Sequence, residues 1–188
     1  MLYHFIDGRA LWVVIFVLSL TGSTAQPLQE KLGREYQVKA VFLFNFTQFV
    51  EWPSEAFVEE DSPLVIGILG EDPFGAYLVE TVSGEMVNGH PLIVRRYPSV
   101  EAIKDCHIIY ISIKGRDEVR RVLDTLKSQP VLTVSDGEYF IRSGGMVRLF
   151  TEQGKLKIRI HVELATDAGL VISSKLLRLA EIVTPKNN

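Results

Sequence analysis

Apolar and polar positions divide the chain into segments of different kind. Ala10 to Leu20 is an apolar run preceded by Arg9 and His4 and followed by the small and polar residues Thr21 to Gln26. A run of about 11 residues is too short to cross roughly 30 Å of hydrocarbon, which needs about 18. Ser23 and Ala25 satisfy the small-x-small rule, so residues 1–25 are expected to be a signal peptide cleaved after Ala25. No cysteine stands at the cut, which argues against a lipid anchor. Residues 26–188 are expected to form one exported domain.

Residues 29–50 predict a long helix in which Leu32, Tyr36, Ala40, Leu43 and Val50 recur near one face. From Val41 to Phe46 it is apolar almost all round, the pattern of a helix that is deeply buried or covers a partner. Trp52-Pro53 is expected to end it. Four apolar segments follow as strands: 63–69, 91–97, 107–113 and 131–134. Between them fall a helix with Asp72 as N-cap and Pro73 at its first position, a short helix near 99–104, and an amphipathic helix over 115–128. Strands too apolar for a solvated face, alternating with helices, predict a mostly parallel sheet with helices on both faces.

The last quarter reads differently. Residues 145–150 and 155–162 flank Thr151-Glu152-Gln153-Gly154 as an antiparallel β-hairpin. Ser173 or Ser174 is then expected to cap a terminal helix with the stripe Leu176, Leu177, Ala180 and Val183. The fold class is therefore α/β: a mostly parallel sheet, a long N-terminal helix, and a C-terminal antiparallel hairpin with a terminal helix.

Charged residues are 23% of the chain and the net charge is −3, with no basic patch of the kind nucleic acid requires. The one cysteine, Cys106, cannot form an internal disulfide and precedes an apolar run, which suits a buried thiol. No phosphate-binding glycine loop, nucleophile elbow or metal-binding histidine pair is present, so no catalytic residue, cofactor or metal is assigned. Asn45-Phe46-Thr47 matches a glycosylation sequon on an apolar helix and is read as accidental. Two weaker features remain. Glu71, Asp72, Lys114, Asp136 and Glu138 fall at the carboxyl ends of the strands, where α/β sheets bind ligands. Arg159 and His161 are two apart on one strand, hence on one face, and could hold a small anion. Solvated loop charges and an ordinary strand face are the plainer readings of each.

Taken in order, several motifs resemble the YfiR-like family of bacterial periplasmic proteins over about residues 34–183. They are Val38-Lys39-Ala40-Val41-Phe42-Leu43-Phe44-Asn45-Phe46, Phe49-Val50-Glu51-Trp52-Pro53, Ile68-Leu69-Gly70-Glu71-Asp72-Pro73-Phe74-Gly75, Cys106-His107-Ile108-Ile109-Tyr110-Ile111, Leu132-Thr133-Val134-Ser135-Asp136, Gly144-Gly145-Met146, and the run Ala168 to Ala180. The resemblance implies a soluble, non-enzymatic periplasmic repressor. Such a protein binds the periplasmic domain of an inner-membrane diguanylate cyclase, restrains cyclic-di-GMP synthesis and biofilm formation, and can be sequestered by an outer-membrane lipoprotein. It also suggests a homodimer. This chain departs from the family in its single cysteine, where the best-known member has redox-responsive pairs, and in His161, where the family pattern has asparagine. The contact surface is expected around Phe42, Phe46, Phe49 and Trp52, with the exposed side of the last helix; core packing is the competing reading of these aromatics. A periplasmic small-molecule-binding module, which could also gate a repressor, is the alternative function. An exported enzyme is a third.

Overall fold

The computed structural model describes residues 26–184; the expected signal peptide lies outside the described residues. Residues from Gly33 onward make one compact unit. The long helix α1 (Gln26–Phe49) leads into β1 (Val50–Glu51). Then follow β2 (Leu64–Gly70), α2 (Ala76–Val82), β3 (Met86–Val87), β4 (His90–Tyr97), β5 (Ile108–Ser112), α3 (Arg116–Leu126) and β6 (Leu132–Ser135). The chain closes with β7 (Val147–Glu152), β8 (Lys155–His161), α4 (Val162–Asp167), β9 (Val171–Ile172), α5 (Ser174–Leu177) and β10 (Ala180–Val183).

Eight strands form one sheet in the order β10-β8-β7-β6-β5-β2-β4-β3. Neighbours from β4 through β7 are parallel; β7–β8 is the antiparallel hairpin and β3–β4 an antiparallel edge. The mixed α/β architecture is the one the pattern predicts. Side chains alternate across the sheet. Ile108 and Tyr110 join Leu43, Phe46, Ile66, Leu78 and Val134 in one core, while Ile109 and Ile111 pack with Val119, Val122, Leu123 and Leu126 of α3 in the other. The inward stripe of α3 is the one its periodicity predicts.

Three local expectations are corrected. Asp72 does not cap α2, which starts only at Ala76 behind Gly75. Its Oδ1 instead accepts from the amides of Phe74 and Gly75, an Asx-type turn, and its Oδ2 pairs with Arg96. The segment near 99–104 contains only a 3-10 turn, Val100–Ala102. The terminal helix is confined to Ser174–Leu177, and Ala180–Val183 is strand β10, parallel to β8, with Ile182 aligned to Ile160.

Two glycines are fixed by space. At Gly70 (φ 95°), a Cβ would sit 2.5 Å from the Ser112 carbonyl oxygen. At Gly67 it would meet Tyr97, Cys106 and Ile109 side chains at 2.6–2.7 Å, so β2 can lie this close to them only without a side chain. Cys106 itself is buried, donates to the Ile108 carbonyl, and has its thiol pushed up to about 12 by burial. It is an inert core thiol.

Candidate functional site

The helix α1 carries two different faces. Lys39, Ala40, Leu43, Phe46 and Thr47 recur at helical spacing and are buried toward the sheet. Val38, Val41, Phe42, Asn45 and Phe49 recur on another stripe; Val38 and Val41 are exposed and the other three half-buried. Of the four aromatic residues expected to form a contact surface, Phe46 thus belongs to the core, with no exposed area. Phe42 packs against its ring at a centroid distance of 6.4 Å while keeping solvent access.

A polar cluster interrupts the buried face. Lys39 retains 2% of its side-chain exposure and pairs with Glu35 one turn earlier at 2.7 Å and with Asp136, just beyond β6, at 2.6 Å. The Tyr36 hydroxyl donates to the same Asp136 oxygen at 2.9 Å. Burial alone would raise the Asp136 pKa, but the Lys39 ammonium and the Tyr36 hydroxyl outweigh it and hold the carboxyl below its usual value. Burial and the Asp136 charge push both Tyr36 and Tyr110 upward, so these phenols stay protonated. The Tyr110 hydroxyl is buried beside this cluster without a hydrogen-bond partner. Together these groups fasten α1 to the carboxyl end of the sheet.

Next to Asp136 lies the strand-end crevice, about 270 Å³, with Lys114, Arg116, Ser135 and Glu138 in its wall. Three of the five expected strand-end charges, Lys114, Asp136 and Glu138, therefore converge, whereas Asp72 is engaged elsewhere by Arg96.

At the opposite ends of the strands, Trp52 and Phe57 close over His107. The Trp52 indole donates to the His107 carbonyl at 3.1 Å, and Phe57 stacks on His90 with centroids 3.9 Å apart. His107 Nδ1 accepts from the Val65 amide, leaving Nε2 as the protonated nitrogen. Burial, aided by nearby His90, lowers its pKa to about 4, so it is neutral at ordinary pH. Sequence reasoning passed over this group because His107 simply precedes an apolar strand.

Arg159 and His161 are separated by their partners. Arg159 pairs with Glu181 of β10 and stacks over Phe150. His161 is buried, and its Nδ1 accepts from the Leu164 amide as the N-cap of α4. The anion expected between them would compete with Glu181 at one residue and with a helix cap at the other. Among the described residues, no three His, Cys, Asp or Glu side chains come together to hold a metal ion.

The sequence profile of the YfiR/HmsC-like family matches residues 36–181, most of the chain. The protein belongs to this family. YfiR/HmsC-like proteins are periplasmic regulators of diguanylate cyclase, a non-catalytic group that acts through contact with a membrane protein. Among the described residues no helix is long and apolar enough to cross a membrane. No curated protein matches the sequence. Among solved structures, "the ABC domain in complex with L-Trp from Streptococcus pneumonia" is similar with a TM-score of 0.46 and 15% identity, over 64% of this chain and 55% of that one. This YfiR/HmsC-like chain therefore spans little more than half of that protein's length.

Proposed function

We propose that this protein is a soluble periplasmic repressor that binds the periplasmic domain of an inner-membrane diguanylate cyclase through the outer stripe of α1. The carrying observation is the pair Val38 and Val41, 46% and 39% exposed, continued by half-buried Phe42 and Phe49. An amphipathic helix normally turns polar residues outward, and this one keeps apolar residues on both faces. Trp52 braces the loop that follows α1 through its indole bond to the His107 carbonyl. Repression then requires tighter binding to the inactive than to the active cyclase; equal affinity would shift nothing. An outer-membrane lipoprotein competing for the repressor would release the enzyme. A small-molecule module is the second reading, favoured by the charges in the strand-end crevice. Its volume, about 270 Å³, falls just below the roughly 300–1,000 Å³ usual for such pockets.

Deleting the gene is expected to raise cellular cyclic-di-GMP, and Val41→Glu is expected to raise it equally while leaving protein abundance unchanged. An unpaired charge buried at a desolvated apolar contact costs at least tenfold in affinity. Unchanged nucleotide levels in both strains would overturn the reading.

A further inference from the structure

A second surface lies where α1 ends. Thr47, Val50, Trp52, Phe57, Leu64 and Val87 line a groove of about 580 Å³. Its rim is carboxylate: Glu51, Glu59 and Glu60 line it as well, and exposed Glu55 and Asp61 flank it in the same loop. No lysine or arginine lines the groove, and none of these five carboxylates has an ion-pair partner in the described residues. The sequence explains the field. From Ala40 to Val94 the chain carries nine acidic residues and no lysine or arginine, whereas the overall net charge is only −3. The acidity is therefore a local property of this part of the molecule. Some carboxylates elsewhere are neutralised: Glu152 and Glu181 by Lys157 and Arg159, Asp136 by Lys39, Asp72 by Arg96.

We propose that this groove receives a basic segment of the protein's membrane partner, in which lysine or arginine flanks an apolar side chain. The inference rests on the α1 docking reading and adds the chemistry of the partner. The argument is complementarity of two kinds at one place. The floor offers apolar and aromatic surface, which a simple cation cannot use. The rim offers unpaired carboxylates, which an uncharged apolar segment would leave desolvated and unmet. A chain bearing both groups satisfies both. The groove opens at the C-terminal end of α1, where Thr47 and Val50 line it on either side of Phe49, the last residue of the outer stripe, in sequence. A partner helix or strand crossing α1 would carry its neighbouring residues onto the rim.

The chain contains two tryptophans, Trp12 and Trp52. The full chain carrying Trp12→Phe leaves Trp52, in the groove wall, as the single tryptophan emitter whether or not residues 1–25 are removed. The probe is an unstructured peptide with two Lys-Leu-Lys triplets in a Gly/Ser background, titrated at low ionic strength. Saturable change in Trp52 emission is expected, weakened as salt is raised, and absent for the Glu-Leu-Glu counterpart. Glu59→Lys with Glu60→Lys should weaken binding at least tenfold. Asp117→Lys with Glu118→Lys on α3 makes the same net-charge change elsewhere and should leave binding within about twofold. Equal weakening by both double variants, or none by the groove variant, would overturn the proposal. So would displacement of the peptide by n-butylamine at matched concentration, which would mark a site for free amines. Because the titration contains no membrane protein, it is independent of the Val41→Glu result. Loss of repression in Val41→Glu with peptide binding unaffected by Glu59→Lys/Glu60→Lys would retire the groove alone.

Discussion

Replacing Lys39 by alanine is expected to destabilise the protein by about 3 kcal/mol. Breaking a buried ion pair by removing one partner typically costs about 3–5 kcal/mol, because the other charge stays desolvated. Here the lower end applies. Glu35 and Asp136 keep 28% and 30% of their side-chain exposure, so water can reach both once the ammonium is gone. The Tyr36 hydroxyl, which still donates to Asp136, limits the loss further. With a urea slope of about 2 kcal/mol/M the midpoint should fall by about 1.5 M; a fall below about 0.3 M would show that Lys39 contributes little. Adding Asp136→Asn to Lys39→Ala should recover part of the loss, because the stranded charge is then removed. The same pairing fixes a pH dependence. Asp136 titrates lower folded than unfolded, so its contribution is complete above the unfolded value, about 3.9, and is lost as pH falls through the depressed folded value. The gap in stability between wild type and Asp136→Asn should narrow below about pH 4.

Lys39 also shows how much could be seen in the chain. It shares a helical face with Leu43, Phe46 and Val50. A charge in phase with an apolar stripe signals a buried ion that must find a counterion. The phase was visible, and so was Glu35 one turn earlier; the second counterion, Asp136, 97 residues away, was not. The central strands and α3 were legible because unbroken apolar runs and a strong 3.6-residue period leave few alternatives. The terminal stripe was not. Leu176, Leu177, Ala180 and Val183 fit a helix, yet Ala180–Val183 is four residues long, and over so short a span both periods fit. Pairing with β8 decides it. His161 misled for a related reason. The β8 alternation places it beside Arg159, but the chain turns into α4 immediately afterwards and buries its ring as a cap. The acidic groove was legible in composition, as 55 residues without a lysine or arginine, but only the fold gathers those charges around an aromatic floor.

The aromatic residues of α1 give the sharpest separation between packing and contact. Phe46→Ala is expected to cost about 3–5 kcal/mol, the range for deleting a buried phenylalanine and leaving a cavity. Its side chain has no exposed area and lies in the same core as Leu43, Ile66 and Val134. Phe42→Ala, one turn away on the same helix, should cost less than about 1.5 kcal/mol, because that ring is half-buried and its removal opens to solvent rather than creating a void. Binding should sort the two variants the other way. Phe46→Ala should still repress the cyclase to the extent that it remains folded, with a loss in cells that follows its lowered melting temperature. Phe42→Ala should melt near wild type yet bind the cyclase's periplasmic domain at least tenfold more weakly, as truncation of an aromatic anchor at a contact does. Thermal unfolding and binding measured on the same two preparations check this directly. If both activities track stability alone, the outer stripe is packing surface and the contact lies elsewhere. If Phe42→Ala loses binding at unchanged stability, two residues four positions apart have been divided between holding the helix down and presenting it to a partner.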